Sequence, residues 1–203
     1  MQKKSKLVHG VGRNDADYPV NVTVLINGVR KSLWNCQYYQ AWVGMLKRCY
    51  SAKSLLRSPS YIGCTVATEW HSFSTFRCWM EGQDHEGNHL DKDILKQDNK
   101  VYGPEFCVFV PISLNVFMTD GGAVRGNIPI GAVWDKSRGK FLARCRNPFT
   151  RKQEHLGSFT DPSEAHEAWR ARKHEISCIY ADMQTDSRIA AALRSRYSNG
   201  VAK

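Results

Sequence analysis

Two stretches of this sequence carry residues whose types and spacing could do chemistry. In the run His89, Leu90, Asp91, Lys92, Asp93, Ile94, Leu95, two carboxylates stand two residues apart among apolar neighbours. A polar loop follows at residues 96–100 and includes Asn99. Carboxylate and amide oxygens are the ligands that a hard divalent cation prefers. The second stretch, residues 136–152, holds seven Lys or Arg and no acid. Strand alternation there puts Lys140, Leu142, Arg144 and Arg146 on one face and Phe141, Ala143 and Cys145 on the other. A planar guanidinium fork suits a phosphate or the O6/N7 edge of guanine. The seven cysteines, at 36, 49, 64, 78, 107, 145 and 178, are odd in number and form no Cys-x-x-Cys pair. They read as reduced, mostly buried thiols rather than a disulfide framework or a zinc ribbon. Cys49, Cys64 and Cys107 with His71 are an irregularly spaced alternative, a structural zinc site.

The elements that must position these residues come from a chain of 203 residues and 23.1 kDa, enough for one large domain or two small ones. An apolar content of 42% with six Trp argues against disorder. The net charge of +10 draws the chain toward polyanions, either nucleic acid or an anionic membrane surface. The membrane is the weaker choice, because no stretch approaches the roughly 18–20 apolar residues of a spanning helix. The basic start is followed by too short an apolar run for a signal peptide, which points to the cytoplasm. Charge is uneven: a net of +3 over residues 1–120 against +7 over residues 121–203. Gly121 and Gly122, the only Gly-Gly pair, read as a linker, so the domain boundary is placed near residue 120.

In the first part, Asn27-Gly28 between two apolar runs predicts a hairpin. Tyr38, Trp42, Met45 and Cys49 recur at helical spacing and predict a helix over residues 37–50. A short strand is expected over residues 62–66. Thr68 is expected to cap a helix whose Trp70, Phe73, Phe76 and Trp79 or Met80 form a core stripe. Strands at residues 89–95 and 106–110, joined by a long loop and followed by a helix from Ser113, have the ββα order of one-metal nucleases. In the second part, strands at residues 130–135, 141–146 and 154–159 precede a helix with Asp161 as N-cap, Pro162 at N1 and Glu164 at N3. One helix covers one face of three strands and leaves the arginine face open. A basic, helix-prone tail follows at residues 187–196.

Several segments in order carry a family likeness: Met45-Leu46-Lys47-Arg48-Cys49-Tyr50, Tyr61-Ile62-Gly63-Cys64-Thr65-Val66, Glu69-Trp70-His71-Ser72-Phe73, Leu90-Asp91-Lys92-Asp93-Ile94-Leu95 and Cys107-Val108-Phe109-Val110-Pro111. Over roughly residues 37–118 they resemble phage-encoded HNH homing endonucleases. The resemblance implies Asp91 and Asn115 as ligands of Mg²⁺ or Mn²⁺, and Asn99 as the loop asparagine. Lys92 stands where that family has the histidine that activates water. An ordinary lysine titrates near about 10.4 and is a poor base at neutral pH. Asp93 is then the candidate to position or deprotonate water, with Lys92 holding phosphate; His71, His85 and His89 are further candidates. Alternation along a regular strand sets Asp91 and Asp93 on one face and Lys92 on the other. The competing reading is an inactive scaffold in which these carboxylates pair with neighbouring Lys and Arg.

A second likeness rests on Gly131-Ala132-Val133-Trp134, Gly139-Lys140-Phe141, Ala143-Arg144-Cys145-Arg146, Leu156-Gly157-Ser158-Phe159 and Glu164-Ala165-His166-Glu167-Ala168-Trp169. Over residues 131–173 it resembles the AP-two domain of plant ethylene-response factors and phage homing endonucleases. That resemblance implies a sheet lying in the major groove, with Trp134, Lys136, Arg138, Lys140, Arg144, Arg146 and His155 as the contact set. The expected architecture is α+β: a degenerate HNH (ββα-metal)-like domain over residues 1–120, then a three-stranded antiparallel sheet on one helix over residues 121–203. The expected function is that of a phage homing endonuclease in the host cytoplasm, binding duplex DNA and cutting it with a divalent metal. The alternatives are a DNA-binding protein without catalysis and a protein that binds a host nucleic-acid enzyme.

Overall fold

The computed structural model describes residues 6–119 and 127–198; the linker expected at Gly121 and Gly122 lies outside them. The fold is α+β and divides into two compact units, residues 1–110 and 111–203.

The first unit opens with an antiparallel hairpin, β1 (Asn21–Ile26) and β2 (Val29–Asn35), turned at Asn27 and Gly28. Helix α1 (Gln37–Tyr50) buries Trp42, Met45, Leu46 and Cys49, the stripe its spacing predicts. After α2 (Ala52–Arg57), strand β3 (Thr65–Val66) pairs in parallel with β5 (Val101–Tyr102). It is shorter than expected, because Cys64 is still tied into the preceding turn by Cys64 N donating to Tyr61 O. Helix α3 (Phe73–Glu81) is capped by Ser72, whose hydroxyl accepts from Thr75 N, and not by Thr68. Thr68–His71 forms a separate 3-10 turn that delivers Trp70 to the core. There Trp42 Nε1 donates to Trp70 O at 2.7 Å, so its indole is buried with its polar atom satisfied. Trp42, Trp70, Phe73 and Phe76 are almost wholly inaccessible. Each such ring stabilises the unit by about 1.5–3 kcal/mol relative to exposure. Strand β4 (Asn88–Asp91) pairs with β6 (Val108–Pro111).

The second unit begins with α4 (Ile112–Met118) and contains one sheet of β7 (Ala132–Asp135), β8 (Lys140–Arg146) and β9 (Gln153–Phe159), all antiparallel with β8 central. Helix α5 (Pro162–Asp182) starts where Asp161 accepts from Ser163 N and Pro162 needs no donor. It crosses one sheet face on Ala132, Ala143 and Ala165, small residues that allow close approach, ringed by Phe141, Leu156, Phe159 and Ala168. Gly131 is held at φ +85°, and a Cβ there would lie 2.0 Å from Trp169 Cγ. Helix α6 (Ser187–Arg196) packs on α5 through Ile189, Ala190 and Leu193, with Ser177 Oγ donating to Leu193 O at 2.7 Å. Helix α4 joins this unit through Lys173, whose ammonium donates to Phe117 O and lies against the Phe117 ring. Among the described residues, no helix is long and apolar enough to cross a membrane.

Candidate nucleic-acid interface

The open face of the β7–β8–β9 sheet follows from its register. Residues paired across strands share a face. Val133 pairs with Leu142, Asp135 with Lys140, Arg144 with His155 and Arg146 with Gln153, all on the side away from α5. Strict alternation back from Phe159 would turn His155 inward. A bulge between Ala143 and Arg144 resets the phase, so that Leu156 packs on the helix side while His155 is exposed. Gly157 makes the bulge possible: its φ is +143°, and a Cβ would meet the Phe159 ring at 2.9 Å. Leu142 floors a depression of about 390 Å³ walled by Arg138, Arg144, Gln153, Glu154 and His155.

Lys136, Arg138, Lys140, Arg144, Arg146 and His155 are all exposed. Trp134 is half-exposed, but it pairs with Phe141, and their ring centroids lie 4.7 Å apart. Its indole therefore starts from the helix-side face, at the sheet margin, and not from the face of Arg144 and Arg146. Val133 and Gln153 take open-face positions instead. Counting pairs outward from the turn, with Asp135 opposite Lys140, is the sequence signal that would have found them.

The acid on this face is neutralised locally. Asp135 Oδ1 accepts from Ser137 Oγ at 2.7 Å, Ser137 N at 3.0 Å and Arg138 N at 3.4 Å. The Ser137 hydroxyl is the main cause that holds this carboxyl below its ordinary value. Arg138 lies 3.8 Å from it. Four arginines of the helices are paired in the same way. Arg172 pairs with Glu154 and Glu175, Arg170 with Glu167, Arg188 with Asp186 and Arg194 with Asp182. Among the described residues, Lys136, Lys140, Arg144 and Arg146 enter no ion pair. Four unpaired cations thus gather on this sheet and its β7–β8 turn.

The carboxylate segment is arranged differently. The expected strand over residues 89–95 stops at Asp91, because Asp91 Oδ1 accepts from Asp93 N at 2.7 Å and Ile94 N at 2.8 Å and bends the chain into a turn. Burial raises the Asp91 carboxyl above its ordinary value, against those two donors. Lys92 is buried. Its ammonium donates to both oxygens of Asp93, at 2.6 and 2.8 Å, and to Asn99 O at 2.6 Å. Asn99 Nδ2 donates to Lys92 O and Val101 O, while its Oδ1 accepts from Val101 N. Asn115 lies on α4 in the second unit and is half-buried. His71 Nε2 sits 3.2 Å from Val66 O, His85 packs edge-on to Tyr38, and His89 is exposed.

The expectation of Mg²⁺ or Mn²⁺ is therefore corrected. Among the described residues, no group of three or more His, Cys, Asp or Glu could hold a metal ion. The physical reason is local: Asp91 Oδ1, both Asp93 carboxylate oxygens and Asn99 Oδ1 are engaged by backbone amides and by Lys92. The same holds for the zinc alternative. Cys49, Cys64 and Cys107 are buried, and burial pushes the Cys49 and Cys107 thiols up to about 12.

These two regions define an α+β protein with a small basic sheet backed by a helix. Over 96 residues the chain is 34% identical to the Ethylene-responsive transcription factor ERF117 of Arabidopsis thaliana, a stretch covering 44% of this chain and 29% of that protein. The chain thus spans less than a third of that relative's length. Comparison with protein-family models gives no match, and comparison with solved structures gives none.

Proposed function

We propose that the chain binds duplex DNA through the open face of the β7–β8–β9 sheet, with the AP-two mode of a sheet in the major groove, and without metal-dependent cleavage. The observation that carries this reading is the contrast in ion pairing: Lys136, Lys140, Arg144 and Arg146 stay unpaired and exposed on the sheet and its turn, while Arg170 and Arg172 of α5 and Arg188 and Arg194 of α6 are neutralised. Similarity to a protein named as a transcription factor supports it. The dimensions agree. Three strands span about 10 Å at their usual spacing, and the major groove is about 12 Å wide. Outward residues on one strand recur about every 7 Å, close to two base-pair rises of about 3.4 Å. Arg144 and Arg146 can therefore address base edges or phosphates two steps apart. Lys136 and Arg138 in the turn, with Lys140, are placed to meet the backbone at the groove's edge, and Trp134 to pack against sugar and phosphate from the sheet margin. His155 completes the set beside Arg144.

The test is fluorescence anisotropy of the full chain on labelled duplex across a salt series. Log affinity should fall linearly with log salt, with a slope of about −0.9 for each phosphate neutralised. An affinity that ignores salt would sink the reading.

A further inference from the structure

The β1–β2 hairpin has no strand neighbour among the described residues: it is a two-stranded sheet whose ladder runs only between its own strands. Its base is tied where Cys36 N donates to Val20 O at 2.9 Å, and its tip is the Asn27-Gly28 turn, with φ of 51° and 74° as the tight hairpin turn requires. Both strands are exposed almost throughout. The tip presents Leu25 at 71% and Val29 at 60% exposure, with Ile26 beside them. Arg30 and Lys31 follow directly and enter no ion pair among the described residues. Residues 18–68 contain six Lys or Arg and not one Asp or Glu. An isolated two-stranded ribbon is only marginally stable in water, so a ribbon of this length is expected to be covered when it works.

We propose that this hairpin is a second duplex-DNA contact, an arm whose apolar tip enters a groove while Arg30 and Lys31 neutralise flanking phosphates. The inference rests on the duplex-DNA reading for the identity of the polyanion. A β-ribbon fits a groove, and apolar side chains at such a tip contact thymine methyls or press between base steps. Charge selects the occupant. An acid-free ribbon attracts a polyanion, whereas a second copy pairing ribbon to ribbon offers it no opposite charge.

The experiment uses the full chain on one duplex, comparing wild type, Arg30→Glu/Lys31→Glu, Arg30→Gln/Lys31→Gln and Leu25→Ser/Val29→Ser, with Arg144→Glu/Arg146→Glu as the sheet control. Circular dichroism checks folding of each. Charge reversal at the tip should weaken binding about tenfold or more and reduce the salt slope by about 1.8, about 0.9 for each of two phosphates no longer neutralised. The glutamine pair should fall between, and Leu25→Ser/Val29→Ser should weaken binding with the slope unchanged. The hydroxyl-radical footprint should shorten at one end only. Wild-type affinity and footprint in both charge variants overturn the proposal, including where the same variants alter self-association or binding to a protein. Weak binding by the hairpin variants with normal binding by the sheet control would reject the sheet reading and keep the arm. The reverse pattern rejects the arm alone.

Discussion

The β8 strand and the segment from Asp91 to Asn99 hold similar densities of charge, and the fold treats them in opposite ways. On β8, Lys140, Arg144 and Arg146 project from a regular ladder whose backbone is satisfied by β7 and β9, so their side chains have no internal task. Between Asp91 and Asn99 the ladder ends, and the side chains do the work of the missing backbone bonds. A polar group is available to a ligand only when its hydrogen-bonding capacity is not already committed, and that is decided by local backbone satisfaction rather than by residue type. The first region is thus equipped to bind and the second to hold a loop together.

This contrast breaks most sharply on Arg144→Glu/Arg146→Glu. Removing one bidentate guanidinium–base pair costs about 1–3 kcal/mol, so the double variant should weaken duplex binding by about thirtyfold or more. Stability should stay within about 0.5 kcal/mol of wild type, since neither side chain supports the fold. Anisotropy and urea unfolding on the same preparations check both halves. A variant that binds normally, or one that unfolds, removes the distinction.

Asn99→Ala should show the mirror image. Removing its amide leaves the carbonyls of Lys92 and Val101 without their donor, at about 1–3 kcal/mol for each buried group, so the first unit should lose about 2–6 kcal/mol in urea unfolding. Duplex affinity, measured below the unfolding transition, should not move. A fall in affinity without a fall in stability would place Asn99 at a ligand, contrary to the hydrogen bonds it makes.

Much of this architecture is legible in the residues, and the failures have a common cause. The helix over residues 37–50 and the Asp161-Pro162 helix start follow from periodicity and capping, which depend on neighbours three or four positions away. The three strands of the second unit's sheet follow because turn residues bound them on both sides. The misreadings all involve a polar side chain or glycine that redirects its own backbone, or a pairing set far along the chain. Asp91 ends a strand that alternation extends to Leu95. Ser72 rather than Thr68 starts α3, since Asp15, 57 residues away, accepts from the Ser72 hydroxyl at 2.6 Å and helps to fix that cap. Long-range partners of this kind leave no local pattern.

Gly157 sharpens the comparison, because the open face depends on it. In Gly157→Ala the methyl group would meet the Phe159 ring at 2.9 Å in a backbone region that suits glycine. The cost should be about 1–3 kcal/mol, and relief by straightening the bulge would turn His155 toward the helix. Both unfolding midpoint and duplex affinity should therefore drop, unlike the arginine pair, which alters affinity alone. Unchanged stability would mean that the bulge does not need glycine.

The smallest expected effect concerns an ion pair on the covered side of the same sheet. Glu154 accepts from Arg172 Nε at 2.7 Å and Nη2 at 3.1 Å, and from Asn147 Nδ2 at 2.7 Å. Arg172 chiefly, then Asn147, lowers its carboxyl from 4.5 to about 2. A carboxyl with a depressed folded-state value stabilises the fold fully above its ordinary value and loses that contribution as pH falls through the folded value. For Glu154 the window runs from 4.5 down to about 2. The side chain is 26% exposed, so solvent screening limits the contribution to about 1 kcal/mol. Wild type should exceed Glu154→Gln in melting temperature by a constant margin at neutral pH, and the margin should close across that window. A margin that persists to pH 2 would show that Glu154 acts through packing, and the covered side of the sheet would then owe nothing to the neutralised charge that distinguishes it from the open one.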